Sequence, residues 1–355
     1  MNIVFVLPRF ECKVSGGFKI VYEYANRFAD RGNNVSIFFI NERGCEKYRF
    51  PKFVKRMISN VFTQIEPRWF PLDKRVTKIS GTGNKGREYL LNCKADVAIA
   101  TAADTFWFVE KNFTNCRKAY FVQDFENWVY PDEELKKTFA TSCKKIVIAN
   151  WLKDIVDRCS PTKSFLICDP IDRNTYKIIR PLEKREKHSV GFLFHERENK
   201  GVKYTLAVIE KLKKRYHDLV CYSFGVFDRP SDFPDYIIYK QSASVEETVE
   251  VYNNVRVFLC STIFEGFGLT GLEAMACGAV LVSSEYKGVL EYAEHMQNAL
   301  LSPVKDIEAM YENAVDVFEN ETLLRKLSAG GVEKVKAFYD WDSAVDRFLD
   351  ALGQQ

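Results

Sequence analysis

Residues 265–278 read EGFGLTGLEAMACG. Two carboxylates, Glu265 and Glu273, stand eight residues apart in a stretch made otherwise of glycine and small or apolar side chains. A carboxylate in such surroundings is rarely buried unless something pairs with it. The run RVFLCS (256–261) before it reads as a buried strand, and GLEAMACG (271–278) as a helix whose N-terminus falls near Leu269 or Thr270. The free N–H groups and positive dipole end of that helix suit a phosphate. Gly266, Gly268 and Gly271, with Phe267 among them, let a ligand approach the backbone. Glu265 lies in the loop and Glu273 about one turn into the helix, so the two bracket the phosphate position. Carboxylates this close would repel a phosphate unless they accept hydrogen bonds from something else. Hydroxyls on either side of a pyrophosphate meet that need, each such bond to a charged group contributing about 1.5–3 kcal/mol.

Working outward, short all-apolar runs alternate with helical periodicity. IVFVLP (3–8), NVSIFFI (34–40), DVAIAT (96–101), KAYFVQD (118–124), KKIVIAN (144–150) and KSFLICDP (163–170) read as strands. FKIVYEYANRFADRG (18–32), ELKKTFATSC (134–143) and WLKDIVDRC (151–159) read as helices. The pattern then restarts with HSVGFLFH (188–195), the amphipathic VKYTLAVIEKLKKRY (202–216), LVCYSFG (219–225), YIIYKQ (236–241) and AVLVSS (279–284). Residues 244–255 open with a capping box, Ser244 and Glu247, and 304–338 read as mostly helical. Apolar strands alternating with helices predict parallel sheets covered on both faces. The chain therefore reads as α/β, with two Rossmann-like, doubly wound domains and ligands bound at the carboxyl ends of their strands. The charged, proline-punctuated segment 171–187 reads as the boundary.

The stretch 265–278 resembles the E-x7-E signature of retaining glycosyltransferases of the GT-B fold, especially glycosyltransferase family 4. Ser261, EGFGL, LEAMACG, an apolar strand and then Gly288 and Glu291 follow in the order seen there. The resemblance implies two Rossmann-like domains facing a central cleft: residues 1–170, joined by a C-terminal helix at 339–355, on the acceptor side, and 171–338 holding the nucleotide sugar. It implies that Glu265 contacts the transferred sugar and Glu273 the nucleotide ribose, with Gly266, Phe267, Gly268, Leu269 and Thr270 lining the donor. The family's basic pair on the pyrophosphate falls on Lys200, in FHERENKGVKYTL, with Arg197 or the nearby His195 as its partner. The family's glycine-rich loop after the first strand falls on SGGF (15–18), hence Gly16 and Gly17. Where the family often has a histidine, YFVQDFENW (120–128) offers Gln123 and Asp124, with Glu126 beyond, and Asp124 is the candidate to stand in. Thr101 and Asp104, after the preceding strand, face the same region or pack the loop. QDFE followed by WVYP is most similar to rhamnosyltransferases of the rhamnan-synthesis group. The implied donor is a dTDP-, UDP- or GDP-linked sugar, used without a metal or further cofactor, and the implied acceptor is a glycan or lipid-linked hydroxyl in polysaccharide synthesis. A non-catalytic scaffold that keeps the sugar-nucleotide pocket is the alternative.

Bulk properties agree with a globular protein of two domains. Of 355 residues, 46% are hydrophobic and 28% charged, and the net charge of +3 speaks against a nucleic-acid binder. Ten cysteines without regular spacing fit a reducing cytoplasm better than a disulfide scaffold. MNIVFVLPRF reads as a first strand rather than a signal peptide, and no run of about 18 apolar residues predicts a membrane span. Asp340-Trp-Asp342 reads as helix capping rather than a metal motif. The segment 47–70 stands apart, with Lys47, Arg49, Lys52, Lys55 and Arg56 beside an apolar stripe of Phe53, Val54, Met57, Ile58, Val61, Phe62 and Ile65. It reads first as a core-facing helix with a solvated basic face, and second as a peripheral contact with an anionic membrane surface or lipid-linked acceptor.

Overall fold

The computed structural model describes residues 1–41 and 50–353. It contains two compact units, Met1–Cys168 with Asp342–Gln355, and Asp169–Trp341. Each is a parallel sheet between helices, a Rossmann-like domain as expected from the sequence.

The first sheet has seven strands: β1 (Asn2–Leu7), β2 (Asn34–Phe39), β3 (Thr77–Ser80), β4 (Val97–Ala100), β5 (Arg117–Val122), β6 (Lys144–Val147) and β7 (Phe165–Leu166). Their order is β3-β2-β1-β4-β5-β6-β7. Ile3 of β1 pairs with Val35 on one side and Val97 on the other, so the central strand is apolar on both faces. The last helix, Trp341–Gly353, belongs to this unit. Its Phe348 is fully buried, with ring centroids 4.8 Å from Tyr24, 5.5 Å from Phe28 and 5.2 Å from Phe121. The carbonyls at its negative end accept from cations, Leu352 O from Arg117 at 2.6 Å and Ala351 O from Lys144 at 2.8 Å.

The second sheet has six strands: β8 (Ser189–Leu193), β9 (Val220–Gly225), β10 (Ile237–Gln241), β11 (Val257–Cys260), β12 (Val280–Ser284) and β13 (Ala299–Ser302). The order β10-β9-β8-β11-β12-β13 repeats that of the first six strands of the other unit. The capping box forms as read: Ser244 Oγ accepts from Glu247 N at 3.2 Å, and Glu247 Oε2 accepts from Ser244 N at 3.0 Å.

Three readings change. KSFLICDP narrows to the two-residue edge strand β7, because pairing with β6 ends before the Asp169-Pro170 step. The edge strands β3 and β13 escape the sequence reading, β3 because it holds a single apolar residue, Ile79. The helix Lys52–Ile65 turns its polar side to the protein: Ser59 and Thr63 are its buried residues, while Phe53, Met57 and Val61 are at least half exposed. The core-facing reading of this segment is therefore wrong, and Lys47 and Arg49 lie outside the described residues.

Phe348→Ala removes a fully buried ring that joins the last helix to three aromatic side chains. A loss of about 3–5 kcal/mol in denaturant unfolding is expected. A loss below about 1 kcal/mol would mean that this helix is not part of the first unit's core.

Candidate nucleotide-sugar site

In a doubly wound sheet, ligands bind outside the carboxyl ends of the strands where the strand order reverses. In the second unit that point lies between the neighbours β8 and β11. The segments leaving these two strands are stitched together. Asn199 O accepts from Ile263 N at 2.7 Å, and Asn199 Nδ2 donates to Phe264 O at 2.9 Å. Ser261 Oγ donates to Gly201 O at 2.7 Å and lies 2.6 Å from Thr205 Oγ1. Gly201 has φ of 65°, and a Cβ there would collide with the Ser261 carbonyl, so only glycine lets the loops touch.

This stitching sets Lys200 Nζ against Glu265 Oε1 as an ion pair, with side chains 18% and 25% exposed. His195, just beyond β8, is half-buried, and its Nδ1 accepts from Arg197 N at 3.0 Å. Burial, then the Lys200 and Arg197 charges, push its imidazole down to about 4 against the pull of Glu265. His195 is thus neutral at physiological pH, and any positive charge for a diphosphate comes from Lys200 and the exposed Arg197. A small cavity lined by Lys200, Thr205, Cys260, Ser261 and Thr270 lies against the same loops.

The helix after the loop spans Leu269–Ala276, with Gly268 as its N-cap in the left-handed region, φ 95°. The glycines here do not all make room for a ligand, as the sequence suggested. A Cβ on Gly268 would collide with the Tyr286 hydroxyl, and one on Gly271 would sit 2.5 Å from that of Tyr292. Tyr292 Oη donates to Gly268 O at 2.5 Å, and a Cβ on Gly288 would lie 2.7 Å from the carbonyls of Glu265 and Phe267. The loop rests on a tyrosine floor. The Phe267 ring is buried, 5.4 Å from Tyr292 and 5.9 Å from Phe338, so it anchors the loop rather than facing a nucleotide. Gly266 is buried, and Leu269 and Thr270 form the partly exposed first turn.

Glu273, one turn in, is buried and accepts from the Tyr252 hydroxyl at 2.9 Å, with the Tyr176 hydroxyl also bonded to it. The two glutamates therefore already have protein partners, a lysine for one and tyrosines for the other. Asp169 belongs to the same neighbourhood, and nothing in its sequence setting signals it. It is 5% exposed, and its Oδ1 has no hydrogen-bond partner among the described residues. Burial and the charge of Glu265 push its carboxyl up to about 8.

In the first unit, Gly16 and Gly17 open the helix Gly16–Asp30 rather than forming a loop before it. A Cβ on Gly17 would meet Gln123 Oε1 at 3.2 Å. Gln123 Nε2 donates to Thr101 O at 3.0 Å, and the buried Thr101 Oγ1 donates to Val6 O at 2.7 Å. Gln123 and Thr101 thus tie the ends of β1, β4 and β5 together. Asp124 Oδ1 accepts from Phe125 N at 2.8 Å. Glu126 accepts from Ala103 N at the start of the helix Ala103–Asn112, and burial pushes it up to about 8, aided by Asp104 and Asp124. Of the two carboxyls considered for the absent histidine, both partly exposed, Glu126 is the one pushed up toward holding its proton. Asp340 and Asp342 are paired with Arg173 and Arg31 at 2.8 and 3.0 Å. Among the described residues no group of three His, Cys, Asp or Glu is placed to hold a metal.

Residues 188–320 match the family model for glycosyl transferases group 1, a segment that contains Lys200, Glu265 and Glu273. The chain is 25% identical over 142 residues to mannosylfructose-phosphate synthase of Agrobacterium fabrum, covering 40% of this chain and 29% of that protein. It is 28% identical over 109 residues to the serotype-specific mannosyltransferase WbdA of Escherichia coli, covering 30% and 13%. The chain thus spans less than a third of the length of these curated relatives. Sucrose-phosphate synthase from Thermosynechococcus elongatus superposes with a TM-score of 0.76 at 14% identity, over 99% of this chain and 98% of that one. Anabaena HepE in complex with UDP and glucose gives 0.75 at 12% identity, over the whole of both chains. At these identities the likeness is one of fold.

Asp169→Asn is expected to stabilise the protein increasingly as pH rises. The folded carboxyl keeps its proton to about pH 8, whereas the unfolded one loses it near pH 4, so the wild type loses stability across that window and the amide does not. Melting temperatures of both proteins at steps across this range check it. A constant difference would mean that Asp169 titrates normally in the fold.

Proposed function

We propose that this protein is a retaining glycosyltransferase that moves a sugar from a nucleoside diphosphate sugar to a hydroxyl of a glycan or lipid-linked acceptor. What carries this reading is the meeting of Lys200 and Glu265 at the β8/β11 switch point, next to the N-terminus of the helix Leu269–Ala276. A cation, a carboxylate and a row of helix N–H groups in one place suit a ligand with a diphosphate at one end and hydroxyls at the other.

Lys200 holds the diphosphate as a point charge, and the exposed Arg197 adds a planar fork. The helix N-terminus adds donors that need no rearrangement as negative charge builds on the leaving group, the kind of stabilisation that supplies most of a rate enhancement. Glu265 accepts from hydroxyls of the transferred sugar, and Glu273, oriented by Tyr252, from the ribose. The bond between the anomeric carbon and the diphosphate oxygen breaks while the acceptor oxygen bonds to the same face of that carbon. The departing diphosphate oxygen takes the acceptor proton, so neither Asp124 nor a metal is required as a base or Lewis acid. UDP is the donor nucleotide that likeness to the UDP complex of HepE supports, with dTDP and GDP as the other candidates. The segment Gln123–Trp128 supports rhamnose as the sugar, and the role supported is polysaccharide synthesis by a cytoplasmic enzyme at a membrane face.

Chromatographic assay of nucleoside diphosphate release from a donor panel tests this. Lys200→Ala and Glu265→Ala are each expected to lower turnover by about 10²–10³. Melting curves verify that each variant is folded. Full turnover by either folded variant would remove this site from the mechanism.

A further inference from the structure

Asp169 is the first residue of the second unit and follows the buried pair Ile167 and Cys168. The chain after it is fixed to the segment before the last helix. Ile171 N donates to Tyr339 O at 3.2 Å, and Arg173 donates to Lys336 O at 2.6 Å and to Asp340 Oδ2 at 2.8 Å. The Asp169 side chain is therefore held in place, yet its enclosed Oδ1 has no hydrogen-bond partner among the described residues. A carboxylate oxygen enclosed without a donor is costly, whereas the carbonyl oxygen of a neutral acid is far less so. The proton then belongs on Oδ2, the oxygen that is not sealed off.

Among the described residues, Glu265 is the charged group that acts on Asp169. Around Glu265, Lys200 is its ion-pair partner, His195 is neutral, and burial keeps Tyr286 and Tyr292 as phenols. On the packed segment Arg173 and Asp340 pair with each other, and Asp172 accepts from Thr175 Oγ1 at 2.6 Å and from Asn174 N at 3.0 Å. No cation is thus left over for Asp169, and burial beside Glu265 keeps it an acid at neutral pH. One O–H donor and one ionised acceptor side by side fit a single hydroxyl, which accepts from the first and donates to the second. A phosphate oxygen fits less well, because it has no proton for Glu265 and would face its charge. We propose that Asp169 is a further sugar-binding residue, its Oδ2–H donating to a hydroxyl of the transferred sugar whose own proton goes to Glu265. This inference rests on the proposed sugar transfer and adds to it a requirement for the proton on Asp169. Ionised, Asp169 would offer a second acceptor, and one hydroxyl has only one proton to give.

Calorimetric titration of the full chain with UDP-glucose, GDP-mannose and dTDP-rhamnose, each against its free diphosphate, tests this. For the donor bound most tightly, the quantity read is the affinity for the nucleotide sugar divided by that for the diphosphate. Asp169→Leu should lower this ratio about tenfold while the affinity for the free diphosphate holds within about twofold. Asp169→Asn keeps an N–H donor and should recover most of that loss. The carboxyl gives up its proton as pH rises through about 8, so the wild-type ratio should fall about tenfold from about pH 7 to about pH 9, relative to the Asn variant. Melting curves verify that both variants fold. An unchanged ratio in the Leu variant, equal weakening of both probes, or parallel pH profiles of wild type and Asn variant overturns the assignment and leaves the donor site standing. A wild type that binds none of the diphosphates contradicts the proposed function and removes this inference with it.

Discussion

Lys200 and Glu265 are 65 residues apart in sequence and meet as an ion pair where the strand order of the second sheet reverses. Their neighbours are arranged to bring them together. Asn199 and Ser261 tie the two loops by main-chain carbonyls, and Gly201 lets them close. The pair is half-buried, so each charge is partly desolvated and depends on the other. Removing one partner leaves the other without compensation, whereas a dianionic ligand would give Lys200 a second anion. Asp169 adds a carboxyl beside Glu265 that keeps its proton, which limits the negative charge a phosphate would face.

Fold class was legible in the sequence because the central strands of a covered parallel sheet, such as β1, β4, β8 and β11, are apolar along most of their length. The runs around 3–8 and 188–195 start the two sheets as read, and β1 and β8 take the same position in each order. What escaped lay at the sheet edges: β3 and β13, of which β3 has Ile79 as its single apolar residue. In the site, Glu265 and Glu273 were legible because two carboxylates stand in a stretch otherwise of glycine and small or apolar residues, and Lys200 because the resemblance put a basic residue there. The tyrosine floor was not. Tyr286 and Tyr292 look like core residues in sequence, and only the fold shows that their hydroxyls fill the space above Gly268 and Gly271. Asp169 was hidden because a carboxylate after an apolar run reads as the end of a strand.

The helix Lys52–Ile65 shows how periodicity is blind to direction. The sequence specifies an apolar stripe and a polar stripe, and burial normally assigns the apolar one to the core. Here the polar stripe is the one that finds partners, through Asn41, Ser59 and Thr63. Among the described residues no helix is long and apolar enough to cross a membrane. The Lys200–Glu265 pair in one unit and an outward apolar stripe in the other are independent features, each with its own physical cause.

The proposed transfer requires that the second unit hold a nucleoside diphosphate. The most direct measurement is calorimetric titration of the intact protein with UDP, GDP, dTDP and ADP, with the free nucleosides as controls and a chelator present throughout. Binding of one diphosphate but not of its nucleoside is predicted, because Lys200 and the helix N-terminus act on the phosphates. Equal affinity for nucleoside and diphosphate, or no heat from any of them, would contradict it.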